Sequence, residues 1–573
     1  MKIKSIIKNP FFWFLFLFIS YSSYKNLNDL SSVITSDGRG YYAYLPAIFV
    51  HGDFKKSSQQ EKSTYTNEIE QLYLYKDKNG ELYNKYFPGV AVLQLPFFLI
   101  AYFISYISDL PIDGYNSTFL FFNYLGSLFY SILGLIIYFR FVKKFFLNFD
   151  NLNWVITVVC LGTPILFYTL NTTSFSHLFS FFLFGLFGLQ IINLNQKITK
   201  VRLVSLGIII GLIFLIRPTN ILIISIIPFL LQDKIRFINF VKSLLNLKIS
   251  LLFYVAFLSI CSILLFIWKW ESGSWIVWSY SGEGFNFFNP KIIECLFSFR
   301  AGLFLQTPII ILAVLGIFLI KNNYQLISWF LYFSIVVWVL SAWWCWDYES
   351  SFSNRAYTEH MFFLTLPIYH FFNFISNKKI RIGILAIIGV ISIIRYVERT
   401  TNFMADQHFT YKNYFASLVF WDSQNKNRWN FTKSCVPFGK KVESKLILSD
   451  ASVHNISSND EFIFTAVDTL SKNRSNERYY YNVTLDKKIE DNIEGVLLVV
   501  DGSSFDFKSR YYKSIDLFND RFEGQKDWER LEFEGIVHDN FQEFEKVAIY
   551  IWNKGKRNFK IRNIQIRVEK YKS

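Results

Sequence analysis

The sequence predicts an α-helical polytopic membrane protein of about eleven spans with a C-terminal all-β, jelly-roll-like domain. Hydrophobic residues make up 52% of the 573-residue chain, and the mean hydropathy is +0.26. That is more apolar than a soluble enzyme of this length. Apolar runs approaching the roughly 20 residues needed to cross a bilayer recur through the first two-thirds. From about residue 436 the pattern shortens to period-two alternation, punctuated by Gly, Asn, Asp and Ser.

Lys2, Lys4 and Lys8 precede the first apolar run, 11–24. No A-x-A-like cleavage site follows, so the start reads as an uncleaved signal-anchor with a cytoplasmic N-terminus. A polar, aromatic stretch, 25–86, forms the first outer loop. Apolar segments follow at 87–108, 118–139, 154–170, 175–194, 203–216, 221–231, 249–268, 303–320, 326–343, 361–374 and 382–394. Basic clusters stand at Arg140/Lys143/Lys144, Lys197/Lys200/Arg202, Lys234/Arg236/Lys242/Lys248, Lys321 and Lys378/Lys379/Arg381. They fall after every second span, as expected where Lys and Arg gather in cytoplasmic loops. The alternation fits a cytoplasmic N-terminus only if 87–108 does not cross fully, so that segment is expected to be re-entrant or interfacial. The short run 221–231 needs flanking residues or tilt to reach across.

The expected strands are 461–467, 479–485, 496–501, 511–517, 530–535, 547–552 and 559–568, forming an antiparallel sandwich. The chain thus divides into a membrane domain 1–395, a linker 396–435 and an extracytoplasmic β-sandwich domain 436–573. The net charge of +15 belongs with the cytoplasmic loops of a membrane protein, and no nucleic-acid-binding motif accompanies it. Cys160, Cys261, Cys295, Cys345 and Cys435 are scattered and form no CxxC, so neither a disulfide framework nor a metal site is expected. No cofactor is called for.

With this topology the outward loops collect the informative polar residues on one face. Ser36-Asp37-Gly38-Arg39-Gly40-Tyr41-Tyr42 puts a carboxylate and a guanidinium beside the membrane. Asp37 alone would read as the N-cap of a helix over 41–50. Set between the first span and a large outer loop, it reads as a catalytic base. Tyr41, Tyr42 and Tyr86 fit either an interfacial aromatic belt or a substrate-lining surface. Lys85 precedes Tyr86-Phe87-Pro88-Gly89, where Pro88 suits a first helical turn, and its ammonium can reach a phosphate oxygen. Arg217 directly follows the apolar run ending at Ile216, on the face where cations are disfavoured; a snorkelling side chain and a phosphate ligand both fit that place. Asn220, Arg300, Arg355, His177, Asp347 and Glu359 complete the set. Asp347 could pair with Arg355 as a structural bridge, and His177 alone reads as a satisfied buried histidine. No second acid stands beside Asp37 in an Asp-x-Asp pair, so a divalent metal is unsupported. Trp528 and Trp552 are the aromatics of note in the β region.

Taken together, Asp37 in the first outer loop, Lys85-Tyr86-Phe87-Pro88-Gly89, Gly162-Thr163-Pro164 with Ser176-His177, Leu215-Ile216-Arg217-Pro218-Thr219-Asn220, Leu296-Phe297-Ser298-Phe299-Arg300-Ala301-Gly302-Leu303-Phe304 and Trp346 through Ser353-Asn354-Arg355 form an ordered pattern. It resembles the GT-C glycosyltransferases, which include protein O-mannosyltransferases and lipid A aminoarabinose transferases, over about residues 11–394. The resemblance implies a polyprenyl-phosphate-linked sugar donor entering from the outer leaflet of a bacterial inner membrane. It implies transfer to a glycan, lipid or protein acceptor hydroxyl, with Asp37 as general base. Arg39, Lys85, Arg217, Arg300 and Arg355 would hold the donor phosphate, and Tyr41, Tyr42, Tyr86, His177, Asn220, Asp347 and Glu359 would line the substrate. Many relatives carry a second acid where this chain has Gly38. The rival function is a lipid-linked glycan transporter or flippase, which would also need cations facing lipid phosphate. Against it, the charges crowd one face rather than the bilayer midplane, and no repeated halves are evident. A membrane scaffold whose β domain is the active part would leave the polar outer loops unexplained.

Overall fold

Proline decides where the apolar runs break. The computed structural model describes residues 8–65, 73–76, 82–146, 149–280, 283–298, 301–348, 352–400, 440–470, 477–488, 496–503, 510–517, 528–537 and 546–572. The helices that matter below are α1 Pro10–Asn28, α2 Asp37–Pro46, α3 Gly89–Ile107, α4 Ser117–Phe145, α5 Leu152–Leu161, α6 Pro164–Asn171, α7 Ser176–Gln196, α8 Lys200–Ile216, α9 Leu247–Ser272, α10 Asn323–Ser341 and α11 Lys378–Thr400. Proline lacks a backbone N–H and its ring collides with the preceding turn. Pro164 opens α6 after a 58° bend from α5. Pro218 ends α8 and starts a 3-10 stretch, Pro218–Ile226, which passes into the helix Ile227–Leu231. Pro308 separates Leu303–Gln306 from Ile309–Ile317, and Pro367 separates Met361–Leu364 from Pro367–Phe374.

The result is a polytopic membrane protein. Among the described residues, six helices (α3, α4, α7, α9, α10 and α11) are long and apolar enough to cross a membrane, or seven if α5 and α6 form one bent span. Pro218–Leu231 and Met361–Phe374 are apolar but shorter. Several of the apolar runs in the sequence are therefore short or broken helices. The segment expected to be re-entrant is one continuous helix, α3, of 19 residues. Pro96 lies inside it without ending it. The outward faces of α9 and α11 remain apolar, with Leu251, Leu258 and Phe266 on one and Ile387, Val390 and Ile393 on the other. Hydrocarbon tolerates such faces because the helix satisfies its own backbone groups.

Contacts divide the chain into two units. The first holds residues 1–280, 302–340 and 352–396. In it α2 packs on α3, α3 on α4, α4 on α7, and α8 on both α7 and α9. Tyr42, Leu45, Phe98, Phe119 and Tyr124 share one buried cluster there. The loop after α2 also carries a small hairpin, β1 Leu74–Lys76 with β2 Leu82–Asn84.

The second unit holds 281–301, 341–351 and 397–573. Its first two segments pair through an isolated antiparallel bridge, Phe285 with Trp343. The rest forms two antiparallel sheets from β3 Lys440–Asp450, β4 His454–Ile456, β5 Phe462–Thr469, β6 Glu477–Lys488, β7 Val496–Ser503, β8 Arg510–Asp516, β9 Glu529–Val537, β10 Lys546–Asn553 and β11 Phe559–Lys572. One sheet runs β3-β11-β6-β9, with β4 also on β11; the other runs β5-β10-β7-β8. Apart from β3 with β4 and the β7–β8 hairpin, consecutive strands alternate between the sheets in nested order, the double Greek key of a jelly roll. Inward residues from both sheets, among them Tyr481, Phe533 and Ile566 from one and Val500 and Ile549 from the other, form one core. All seven expected strands are present, each extended at one or both ends; β3 and β4 are additional. The expected linker, 396–435, lies mostly outside the described residues.

Candidate functional site

Asp37 is the first residue of α2 and not its cap. The cap position falls to Ser36, held at a positive φ of 47° and making no side-chain cap hydrogen bond. The Asp37 carboxylate is therefore available for another partner. It lies 2.8 Å from the Arg355 guanidinium, and both side chains are less than one-fifth exposed. Gly38 allows this placement. A Cβ there would stand 1.8 Å from the Ser174 Oγ and 2.5 Å from its Cβ. The first turn of α2 consequently lies directly on the loop between α6 and α7, and that loop supplies Phe175, whose ring carries the Arg355 guanidinium at 5.4 Å.

Lys85 and Tyr86 arrive on the turn between β2 and α3. Asn84 fixes the turn by donating to the Gly40 carbonyl at 2.7 Å and accepting from the Tyr86 N–H at 3.0 Å. The Tyr44 hydroxyl donates to the Tyr86 carbonyl. Lys85 Nζ lies over the rings of Tyr86 and Tyr280, at 5.4 and 5.6 Å. The turn is held near Arg217 by backbone contact: a Cβ on Gly89 would meet the Ile216 nitrogen at 2.4 Å. Pro218 bars the helical conformation for the residue before it. Arg217 is accordingly extended at the end of α8, at φ −154° and ψ 119°.

Burial would raise the Asp37 pKa, but the charge of Arg355, then Lys85, a hydrogen bond from Tyr86 and the charge of Arg217 outweigh it. The carboxyl is held below the usual carboxylate range. Burial, and then the Asp37 charge, push the Tyr86 phenol well up, so it stays protonated and can donate to Asp37.

Behind this layer lies Glu359, fully buried. Its Oε2 is 2.7 Å from His177 Nδ1 and its Oε1 is 3.6 Å from Arg217 Nη1. A carboxylate can only accept, so the His177 proton sits on Nδ1. A buried unpaired carboxylate costs several kcal/mol, and these two partners offset it. Burial would raise the Glu359 pKa; His177 and Arg217 reverse that and hold it low. Below Glu359, the Tyr332 hydroxyl meets His360 Nδ1 at 2.7 Å.

Asp37, Lys85, Arg217, Arg355, Tyr41, Tyr86, His177 and Glu359 are thus brought together, with Tyr41 packed against Tyr86 at 4.7 Å between centroids. The other residues marked in the sequence are placed elsewhere. Arg39 is two positions along α2 and acts on Tyr73, which hydrogen-bonds Glu61. Tyr42 is buried and donates to the Gly114 carbonyl at 2.6 Å. Asn220 donates to Ser180 Oγ at 2.9 Å, also buried. Asp347 lies in the second unit, accepting from Cys345 Sγ at 3.6 Å. Arg300 lies outside the described residues. Glu359 is fully buried, with its carboxylate engaged by His177 and Arg217. The sequence left Phe175, Ser174 and Tyr280 without individual roles. Only Ser174 and Phe175 carried any signal, by standing just before His177.

Among these five charged side chains, three cations (Lys85, Arg217, Arg355) face two carboxylates (Asp37, Glu359). The cluster therefore carries one surplus positive charge, the condition for receiving an anion. Among the described residues no group of three His, Cys, Asp or Glu side chains could hold a metal ion.

No family model and no curated protein matches this chain. A solved structure similar to it is the arabinosyltransferase EmbB from Mycobacterium smegmatis, determined by single-particle cryo-EM. The identity is 10% and the TM-score 0.31, over 93% of this chain and 64% of that one. A TM-score of 0.31 is too low to establish a shared fold.

Proposed function

We propose that the protein is an integral-membrane glycosyltransferase that moves a sugar from a polyprenyl-phosphate donor to an acceptor hydroxyl, with Asp37 as general base. The observation that carries this reading is the ionised carboxyl of Asp37 set among Lys85, Arg217 and Arg355, which together leave a surplus positive charge. In the reaction, the acceptor oxygen attacks the anomeric carbon and gives its proton to Asp37. The bond from that carbon to the phosphate oxygen breaks, and the lipid phosphate leaves with the electron pair. Charge develops on the leaving phosphate, where fixed cations stabilise it most. Arg355 has two uses. In the empty site it neutralises Asp37. A donor phosphate competes for the guanidinium, which is suited to bidentate oxyanion binding, and as Arg355 turns to the phosphate the Asp37 carboxylate regains basicity. Base activation is thereby coupled to donor binding. Tyr86, protonated and hydrogen-bonded to Asp37, keeps the carboxylate oriented.

The test is sugar transfer by purified full-length protein given labelled polyprenyl-phosphate sugars and an acceptor mixture. Asp37→Asn should lower the rate by about 10²–10⁴-fold with donor binding retained. Full activity in that variant would remove Asp37 from the role. Free lipid phosphate and a labelled acceptor should both accumulate; movement of intact donor across the membrane with neither product would favour the transporter.

A further inference from the structure

The segment 273–280, which leads from α9 to the Lys85 turn, faces two environments. Gly273 closes α9 in the left-handed conformation, at φ 71°, with its N–H on the Lys269 carbonyl at 3.1 Å. Beyond it Trp275 is 53% exposed, Ile276 81% and Trp278 68%. Ser279 is buried, and Tyr280 reaches the other way. Its ring stacks on Phe87 at 6.3 Å and carries the Lys85 ammonium at 5.6 Å. Single apolar side chains on a surface are ordinary, but large ones exposed together mark a contact surface.

Two observations say what covers this one. The first is continuity. Trp275 packs edge-on against Phe266 at 5.8 Å. Phe266 belongs to the outward apolar face of α9, with Leu251 and Leu258. α9 is long and apolar enough to cross a membrane, so that face meets hydrocarbon. Trp275 extends the same face past the end of the helix. The second is chemistry. Tryptophan has an apolar body and one N–H donor, and it gathers where acyl chains give way to headgroups. Exposed Lys269 stands at that level: its Nζ lies over the Trp275 ring at 5.8 Å and donates to the Gly273 carbonyl at 2.6 Å. A protein partner would have to strip water from this ammonium, whereas a headgroup phosphate pairs with it.

We propose that Trp275, Ile276 and Trp278 dock into the bilayer at the boundary between headgroups and acyl chains. Lipid then holds the segment that brings Tyr280 to Lys85. This concerns lipid contact and stands whether or not the Asp37 centre transfers a sugar. The test places a nitroxide on Ile276→Cys and, separately, on Trp278→Cys in a cysteine-free full chain, one molecule per phosphatidylcholine nanodisc. Electron paramagnetic resonance reads collisions with oxygen, which partitions into lipid, and with a water-soluble nickel chelate. Compared with a nitroxide on Lys56→Cys, both sites should meet oxygen more often and nickel at least fivefold less. Free access of nickel would place the segment in water, and poor access of both reagents would bury it against protein; either result overturns the proposal. With the probe at 276, Trp275→Ser combined with Trp278→Ser should raise nickel access at least threefold. Unchanged access there would also overturn it, because the tryptophans would not be what holds the segment in lipid. Sugar transfer enters none of these measurements, so failure of the transferase reading leaves their outcome as it is.

Discussion

Asp37 shows how one side chain's role depends on where the helix begins. Had α2 started one residue later, at Gly38, Asp37 would stand at the N-cap and its carboxylate would accept from backbone N–H groups. Starting at Asp37, the helix leaves the cap to Ser36 and frees the carboxylate for Arg355. The pH consequence follows from the sign of the shift. A carboxyl whose folded-state pKa lies below its unfolded value adds stability that is complete above the unfolded value, about 3.9. That contribution is lost as the pH falls through the folded value. The Asp37–Arg355 pair should therefore hold throughout the neutral range and open only in acid. Melting temperatures of wild type and Asp37→Asn should differ at pH 7 and converge below about pH 4. A gap that stays constant to pH 3 would show that the carboxylate charge is not what the variant removes. The buried Glu359 bridge was not legible in the sequence, because its partner His177 is 182 positions away. Only the fold brings them together, and the sequence offered each as a substrate-facing group.

At the scale of elements, the contact of α3 with α8 aligns the Lys85 turn with Arg217. The start of α3 rests on the backbone of Leu215 and Ile216, and a Cβ on Gly89 has nowhere to go. Gly89→Ala should destabilise the protein by about 1–3 kcal/mol, the usual cost of overpacking. Gly389 in α11 has open space around it. There the same substitution should be neutral or stabilising by up to about 1 kcal/mol, since alanine is the better helix former. Chemical denaturation in mixed micelles reads both; equal effects would refute the contact argument. The strands of the β region were legible because period-two alternation survives in stretches such as Val547–Trp552, whose odd-numbered positions are buried. β3 was not, because its outward edge reads Lys440-Lys441-Val442-Glu443-Ser444-Lys445, with no apolar alternation to detect. The lengths of the helices were less legible than their existence. Hydropathy sums over proline, whereas proline is what cut the runs at 164, 308 and 367.

At the scale of the molecule, the charge distribution makes a claim about sidedness that the helices alone do not. If Lys and Arg mark the cytoplasm, the loop before α9 faces inward and the loop after α2 faces outward. In a cysteine-free background, a single cysteine at exposed Lys56 should react with a membrane-impermeant maleimide in intact cells. One at exposed Lys248 should react only after permeabilisation. The reverse result would invert the topology and place the Asp37 cluster on the opposite leaflet. The continuous α3 sharpens this test. A helix of crossing length between Lys85 and the α4 start changes the parity of every later loop if it spans.

The fit of Gly38 against Ser174 also constrains the order in which this protein could change. A second carboxylate beside Asp37 needs a side chain at position 38, and Ser174 fills that volume. A form bearing such an acid needs the Ser174 side chain removed or displaced, since both side chains cannot occupy the present positions. Between a one-acid and a two-acid centre in this scaffold, the side chain at 174 must yield before one at 38 is gained, and return only after it is lost.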